Sequence, residues 1–250
     1  MSSNRLVFLL TLSTIVLPAM GADTVETWDL GATNLDYYMG ADGLGRPSGD
    51  GEVFGDIMLG YGLAERFSAY LGASLLADRS LGDGHHHTYL GIFGTVHDRD
   101  HVDLDVFMDM SGGQGGLALT PSIELNFDRD AEQQSWGLFL RAGVELGNCG
   151  DDDECDEGSI KADFAVNPGA YLTLGNGSQL VIEYDSTYAS NRAASGHDWE
   201  YGAVALGWNV PVTSSIELIN ELHFDVPQDD EPMSWGVMVG FIATLPAGPR

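Results

Sequence analysis

Apolar and polar residues alternate with a period of two along most of the chain. From His101 to Met110, the residues Val102, Leu104, Val106, Met108 and Met110 fall on one face and His101, Asp103, Asp105 and Asp109 on the other, a sorting that only an extended strand produces. The pattern returns with Leu117, Leu119, Ile123, Leu125 and Phe127 against Thr120, Ser122, Glu124 and Asn126. In the next segment Trp136, Leu138, Leu140, Val144 and Leu146 oppose Gly137, Phe139, Arg141, Gly143 and Glu145. Ile160, Ala162, Phe164 and Val166 oppose Lys161, Asp163 and Asn167, and Ile216, Leu218, Leu222 and Phe224 oppose Glu217, Glu221, His223 and Asp225. Each segment runs to about ten residues or more, longer than the 5–6 usual in a soluble sheet and about the length a tilted strand needs to cross a bilayer.

The periodicity predicts about twelve strands, over 24–38, 52–62, 66–77, 86–97, 101–111, 116–127, 134–147, 158–173, 179–189, 199–210, 214–226 and 233–245. Connections after even-numbered strands are tight, as in Leu63-Ala64-Glu65, Asp98-Arg99-Asp100, Gly175-Asn176-Gly177 and Pro211-Val212-Thr213. Those after odd-numbered strands include the longer stretches 39–51, 78–85, 148–157 and 190–198, with short exceptions at 112–115 and 227–232. An even strand count with short turns at one end and long loops at the other is the connectivity of an antiparallel up-and-down outer-membrane β-barrel. The predicted fold class is therefore all-β. A soluble β-sandwich is the rival fold. Tyr89, Trp136, Tyr171, Tyr184, Tyr188, Trp199, Tyr201, Trp208 and Trp235 sit near predicted strand ends and suggest interfacial girdles. Trp208 falls on the polar face of its strand unless a bulge intervenes.

Outside the alternating region, Arg5 precedes an apolar run from Leu6 to Leu17 that closes in Pro18-Ala19-Met20-Gly21-Ala22. The run is too short for a membrane helix and ends in small residues, so 1–21 read as a cleaved signal peptide and 22–250 as the barrel domain, exported to the outer membrane.

With 38 acidic against 10 basic residues, the formal net charge is −28, and losing the signal with its Arg5 makes it more negative still. That balance repels phosphate backbones and excludes nucleic acid as an electrostatic partner. Disorder is excluded too, because 44% of residues are hydrophobic and 10% aromatic. Lys161 is the sole lysine, a bias also expected of proteins bathed in high salt, so habitat and ligand are equally good explanations of the acidity.

A charge facing lipid costs about 2–4 kcal/mol for a cation at the bilayer midplane and less for an acid. The polar faces should therefore line the lumen, with Asp103, Asp105, Asp109, Glu124, Arg141, Glu145, Lys161, Asp163, Glu183, Asp185, Glu217, Glu221, His223 and Asp225 as its candidate lining. Such a lumen favours neutral or cationic solutes. The competing expectation is an interior of hydrated side chains that conducts nothing, since twelve strands lie between filled eight-stranded barrels and open sixteen-stranded ones.

Cys149 and Cys155 lie close together in an exported chain and are expected to form a disulfide across the acidic stretch 150–154. Asp151, Asp152, Asp153, Glu154, Asp156 and Glu157 lack EF-hand spacing, so a solvated loop with weak divalent-ion binding is expected. His85, His86 and His87 read as a solvated loop rim, with an incidental transition-metal site second. His101 and His223 fall on the lumenal face without a serine partner, and no nucleophile-elbow, phosphate-loop or zinc-helix motif occurs. The sequence thus predicts neither an enzyme nor a bound cofactor.

The stretch FGDIMLGYGLAERFSAYLG at 54–72, with its strand, tight turn and strand, and the closing WGVMVGFIATL at 235–245 resemble small outer-membrane barrels. They are most similar to the porin-like transporter family associated with phenol meta-cleavage pathways. That resemblance implies a monomeric outer-membrane channel for small solutes. The alternatives are a structural or adhesive barrel presenting its acidic loop, and, less favoured, a barrel enzyme acting on lipid or glycan.

Overall fold

The computed structural model describes residues 27–44, 51–78, 84–99, 101–113, 116–129, 135–148, 160–189, 199–226 and 233–247. Both cysteines, the acidic stretch between them and residues 1–26, which include the expected signal at 1–21, lie outside these.

Twelve strands in chain order form one closed antiparallel barrel. They are β1 (Thr33–Leu44), β2 (Glu52–Ala64), β3 (Phe67–Asp78), β4 (Gly84–Arg99), β5 (Val102–Gly113), β6 (Gly116–Arg129), β7 (Ser135–Asn148), β8 (Ile160–Thr173), β9 (Gln179–Ala189), β10 (Trp199–Thr213), β11 (Ile216–Asp225) and β12 (Trp235–Leu245). Each strand pairs with its neighbour in sequence, and β1 closes on β12 from Thr33 opposite Leu245 to Leu44 opposite Trp235. Closure leaves no unpaired edge, as a bilayer core requires of any sheet. The turns at one end are short, among them Glu65–Arg66 and Ser214–Ser215, and both barrel termini lie at this turn end.

Leu59, Leu71, Ile92, Leu125, Leu138, Ile182 and Val239 are all about half exposed on the outer face, whereas Asp36, Asp56, Asp105, Glu124 and Asn209 are buried on the inner one. Polar residues inside and apolar residues outside invert the arrangement of a soluble protein and match a hydrocarbon solvent. No helix among the described residues is long and apolar enough to cross a membrane; the strands do the crossing.

Several boundaries differ from the periodicity. β1 starts at Thr33 and runs to Leu44, not over 24–38. Gly31, at φ 82°, turns the chain inward before β1, and Gly31 and Ala32 bond to Gly62 of β2. β10 continues through Pro211 to Thr213, because a bulge absorbs the proline and moves the turn to Ser214–Ser215. A second bulge between Tyr201 and Val204 resets the alternation, and Trp208 faces outward, 54% exposed. Trp136 and Trp235 also face outward, but Tyr89 is buried in the lumen and Tyr171 points inward to Asp128, so neither belongs to a girdle. The side chains of Tyr188, Trp199 and Tyr201 lie outside the description. His101 is an exposed turn residue with φ 93° and not a lumenal one.

Candidate functional site

The lumen is built by alternation: each strand sends every second side chain inward. Asp105, Asp109, Glu124, Arg141, Asp163 and Glu183 are buried there. Asp103, Glu145, Asp185, Glu217, Glu221, His223 and Asp225 are half-buried on the same face. Lys161 lies on β8 in phase with Asp163, with its side chain outside the description. Asp36 and Asp56 are further buried inward acids. Both sit on polar-in positions of β1 and β2, so the alternation itself could have found them.

Arg141 is the central inward cation among the described side chains. Its Nε donates to Glu124 Oε2 at 2.7 Å, Nη2 reaches the same carboxylate, and the guanidinium lies 5.6 Å from the Phe107 ring centre. Both charges are buried, so removing one strands the other. Arg141→Met is expected to cost about 3–5 kcal/mol, and the double variant with Glu124→Gln less than that, measured by urea unfolding in lipid vesicles.

Elsewhere, inward acids take neutral donors. The Tyr89 hydroxyl donates to Asp56 Oδ1 at 2.6 Å, Tyr70 donates to Asp109, and Tyr171 to Asp128. Each pair skips one strand, and a glycine lies beneath each tyrosine: Gly72, Gly91 and Gly137 respectively. At each of these glycines a Cβ would occupy the space of the tyrosine ring. Near the loop end, His223 follows the same plan across Gly236, with Nε2 3.2 Å from Asp42 Oδ1 and Nδ1 3.5 Å from Glu221 Oε1. Ring over glycine brings second-neighbour strands into contact and satisfies carboxylates that burial would otherwise leave costly.

Apolar side chains fill the rest of the middle. Met58, Tyr70, Tyr89, Phe93 and Phe107 form one buried cluster, against which Trp28 packs. Phe139, Val181 and Ala205 form a second and Tyr38, Ile219 and Met238 a third. Trp28 enters from the turn end. Its ring stands edge-on to Phe93 at 5.2 Å over Gly60, and its backbone N–H donates to Ser68 Oγ at 3.0 Å. A cavity of about 340 Å³ lies at the turn end, its lining including Glu65, Asp98, Asp103, Asp105, Asn126 and Asp128.

At the loop end, His85, His86 and His87 belong to β4 and not to a loop rim, because β3 extends to Asp78 and pairs them with Leu76, Leu75 and Ser74. Ser74 Oγ lies 2.6 Å from His87 Nε2, a serine–histidine contact that involves neither His101 nor His223. Asp56, the other cross-strand neighbour of Ser74, is engaged by Tyr89. Among the described residues no three His, Cys, Asp or Glu side chains converge as a metal site.

No protein-family model matches the chain, and no curated protein matches it. Solved structures do. The NanC porin superposes with a TM-score of 0.60 at 12% identity, covering 84% of this chain and 100% of that one. The COG4313 outer membrane channel from Pseudomonas putida F1 gives 0.60 at 12% identity, over 88% and 97%. The KdgM porin gives 0.53 at 9% identity, over 84% and 98%. This chain has the fold of outer-membrane porins and channels. At these identities the likeness is one of porin architecture, and it extends over nearly the whole length of the porin chains compared.

Proposed function

We propose that this protein is a monomeric outer-membrane channel of narrow bore, passing small neutral or cationic solutes, delivered by cleavage of a signal at 1–21 and carrying a Cys149–Cys155 disulfide. The observation that carries this reading is the inward acid set, Asp36, Asp56, Asp105, Asp109, Asp163 and Glu183, beside Arg141, whose charge a further inward acid, Glu124, already neutralises. A low-dielectric wall focuses that field along the axis, enriching cations and excluding anions. The porin fold supports transport as the class of activity. KdgM has also been solved in complex with disordered oligogalacturonate, an anionic sugar that the acids of this lumen would repel. We read the chain as a channel and not an enzyme.

In planar bilayers under a KCl gradient, the reversal potential is expected to take the sign of K⁺ preference over Cl⁻. Anion preference would sink the acidic-path reading. One observation favours the structural alternative: Tyr38, Met58, Phe93 and Ile219 are each less than 2% exposed, so side chains fill much of the bore. A barrel that inserts, and migrates anomalously on gels until boiled, yet carries no current would be that structural barrel.

A further inference from the structure

Two buried acceptors on residues lining the turn-end cavity are left unmet by the protein. Asn126 Nδ2 donates to Asp105 Oδ2 at 3.1 Å and the Thr95 side chain also hydrogen-bonds the Asp105 carboxylate, yet Asp105 Oδ1 and Asn126 Oδ1 stay buried with no hydrogen bond from the protein. Both residues are more than nine-tenths buried, and both line the cavity. Around them stand Glu65, Asp98, Asp103 and Asp128. Arg66, the basic residue in the lining, turns to Asp98 at 3.4 Å in solvent, where an ion pair is worth little. A buried acceptor left unmet costs about 1–3 kcal/mol, so this site lacks donors, and positive ones.

The size and spacing of the site select the kind of cation. A bare divalent ion needs several carboxylate oxygens within about 2.6 Å of one point, and among the described residues no three acidic or histidine side chains converge that closely. A volume of 340 Å³ is at the small end of organic-ligand pockets. An alkylammonium carries three N–H donors on an apolar stem, so it can bridge separated oxygens through charge-assisted hydrogen bonds. The Tyr171 side chain also lines the cavity and offers an aromatic wall to such a cation.

We propose that the turn-end cavity is a binding site for a small organic ammonium, preferentially a primary diamine, with Asp105 and Asn126 as its inner acceptors and Asp103 and Asp128 as its rim. This deepens the cationic-solute reading above and rests on the acidic lumen invoked there. One ammonium group meets Asp105 Oδ1 and Asn126 Oδ1, while the second is left to the rim acids.

The test is titration calorimetry of the full-chain protein in detergent micelles with 1,4-diaminobutane, alongside 1,4-butanediol and Mg²⁺, and separate bilayer recordings. Diamine binding is expected, the diol giving no heat. Asp105→Asn should weaken diamine binding by about tenfold or more, the loss of one charge-assisted hydrogen bond. Asp103→Asn, on the half-buried rim, should weaken it less and serves if the first variant does not fold. Diamine affinity unchanged in a folded Asp105→Asn or Asp103→Asn variant overturns the placement. Mg²⁺ binding without diamine binding overturns the ligand class. Diamine binding without conduction would leave the site standing and remove the channel reading; conduction without diamine binding would do the reverse.

Discussion

Trp28→Ala is expected to destabilise the barrel by about 3 kcal/mol and to raise its single-channel conductance. The residue precedes β1, and its indole packs edge-on against Phe93 and over Gly60, where a Cβ would overlap the ring. Its backbone N–H is tied to Ser68 on β3. Truncating a packed aromatic to alanine removes apolar contact and leaves a void, at about 3–5 kcal/mol when fully buried; Trp28 is partly buried, which sets the lower end. The void opens beside the cluster of Met58 and Phe93 that fills this part of the bore, so the path past it should widen. Urea unfolding in vesicles reads the first effect and bilayer recording the second. An unchanged unfolding midpoint together with unchanged current would show that the indole is neither wedge nor obstruction.

The second large effect is expected at Gly91. This residue lies on β4 opposite Tyr70 of β3 and Asp109 of β5. A Cβ there would meet both the phenol ring and the Asp109 carboxylate. Gly91→Val must therefore break the Tyr70–Asp109 hydrogen bond. Overpacking costs about 1–3 kcal/mol, and a buried carboxylate left without its donor costs about 1–3 kcal/mol more, so a total of about 2–6 kcal/mol is expected. The mechanism has a signature in a double-variant cycle: with Tyr70→Ala already present, Gly91→Ala should cost much less than it does alone. Additive costs would mean that the glycine serves the strand and not the ring. Gly137 under Tyr171 and Gly72 under Tyr89 offer the same comparison elsewhere in the wall.

Much of the fold is legible in the sequence. Val102 to Met110 sort cleanly between two faces, and β5 runs from Val102 to Gly113 with Asp105, Phe107 and Asp109 inside. The order of short turns and long loops was equally readable, because a chain that crosses a bilayer an even number of times must return to the same side. Where local pattern failed, a tertiary contact had overridden it. The stretch 27–32 carries strand-like composition, yet its backbone bonds to β2 and β3 from inside the barrel and its tryptophan finds Phe93. Trp208 faces lipid because the Tyr201–Val204 bulge shifts the phase upstream of it, and no local composition marks that bulge.

The lumen divides the same way. That Glu124 and Arg141 both point inward follows from alternation alone, and their cross-strand pairing joins them. That Tyr70 reaches Asp109, 39 residues away, does not follow, because the contact skips a strand and exists only where the wall curves round and a glycine clears the way. The sequence by itself determined the number of strands and the inward face of charges such as Asp105, Asp109, Glu124 and Arg141, since a period of two in a two-solvent environment leaves a strand side chain one place to go. Only the closed barrel decided which inward groups meet and which acceptors at the turn end go unmet. It also decided how much of the bore is filled, because these depend on stagger and curvature that bring together residues far apart in the chain.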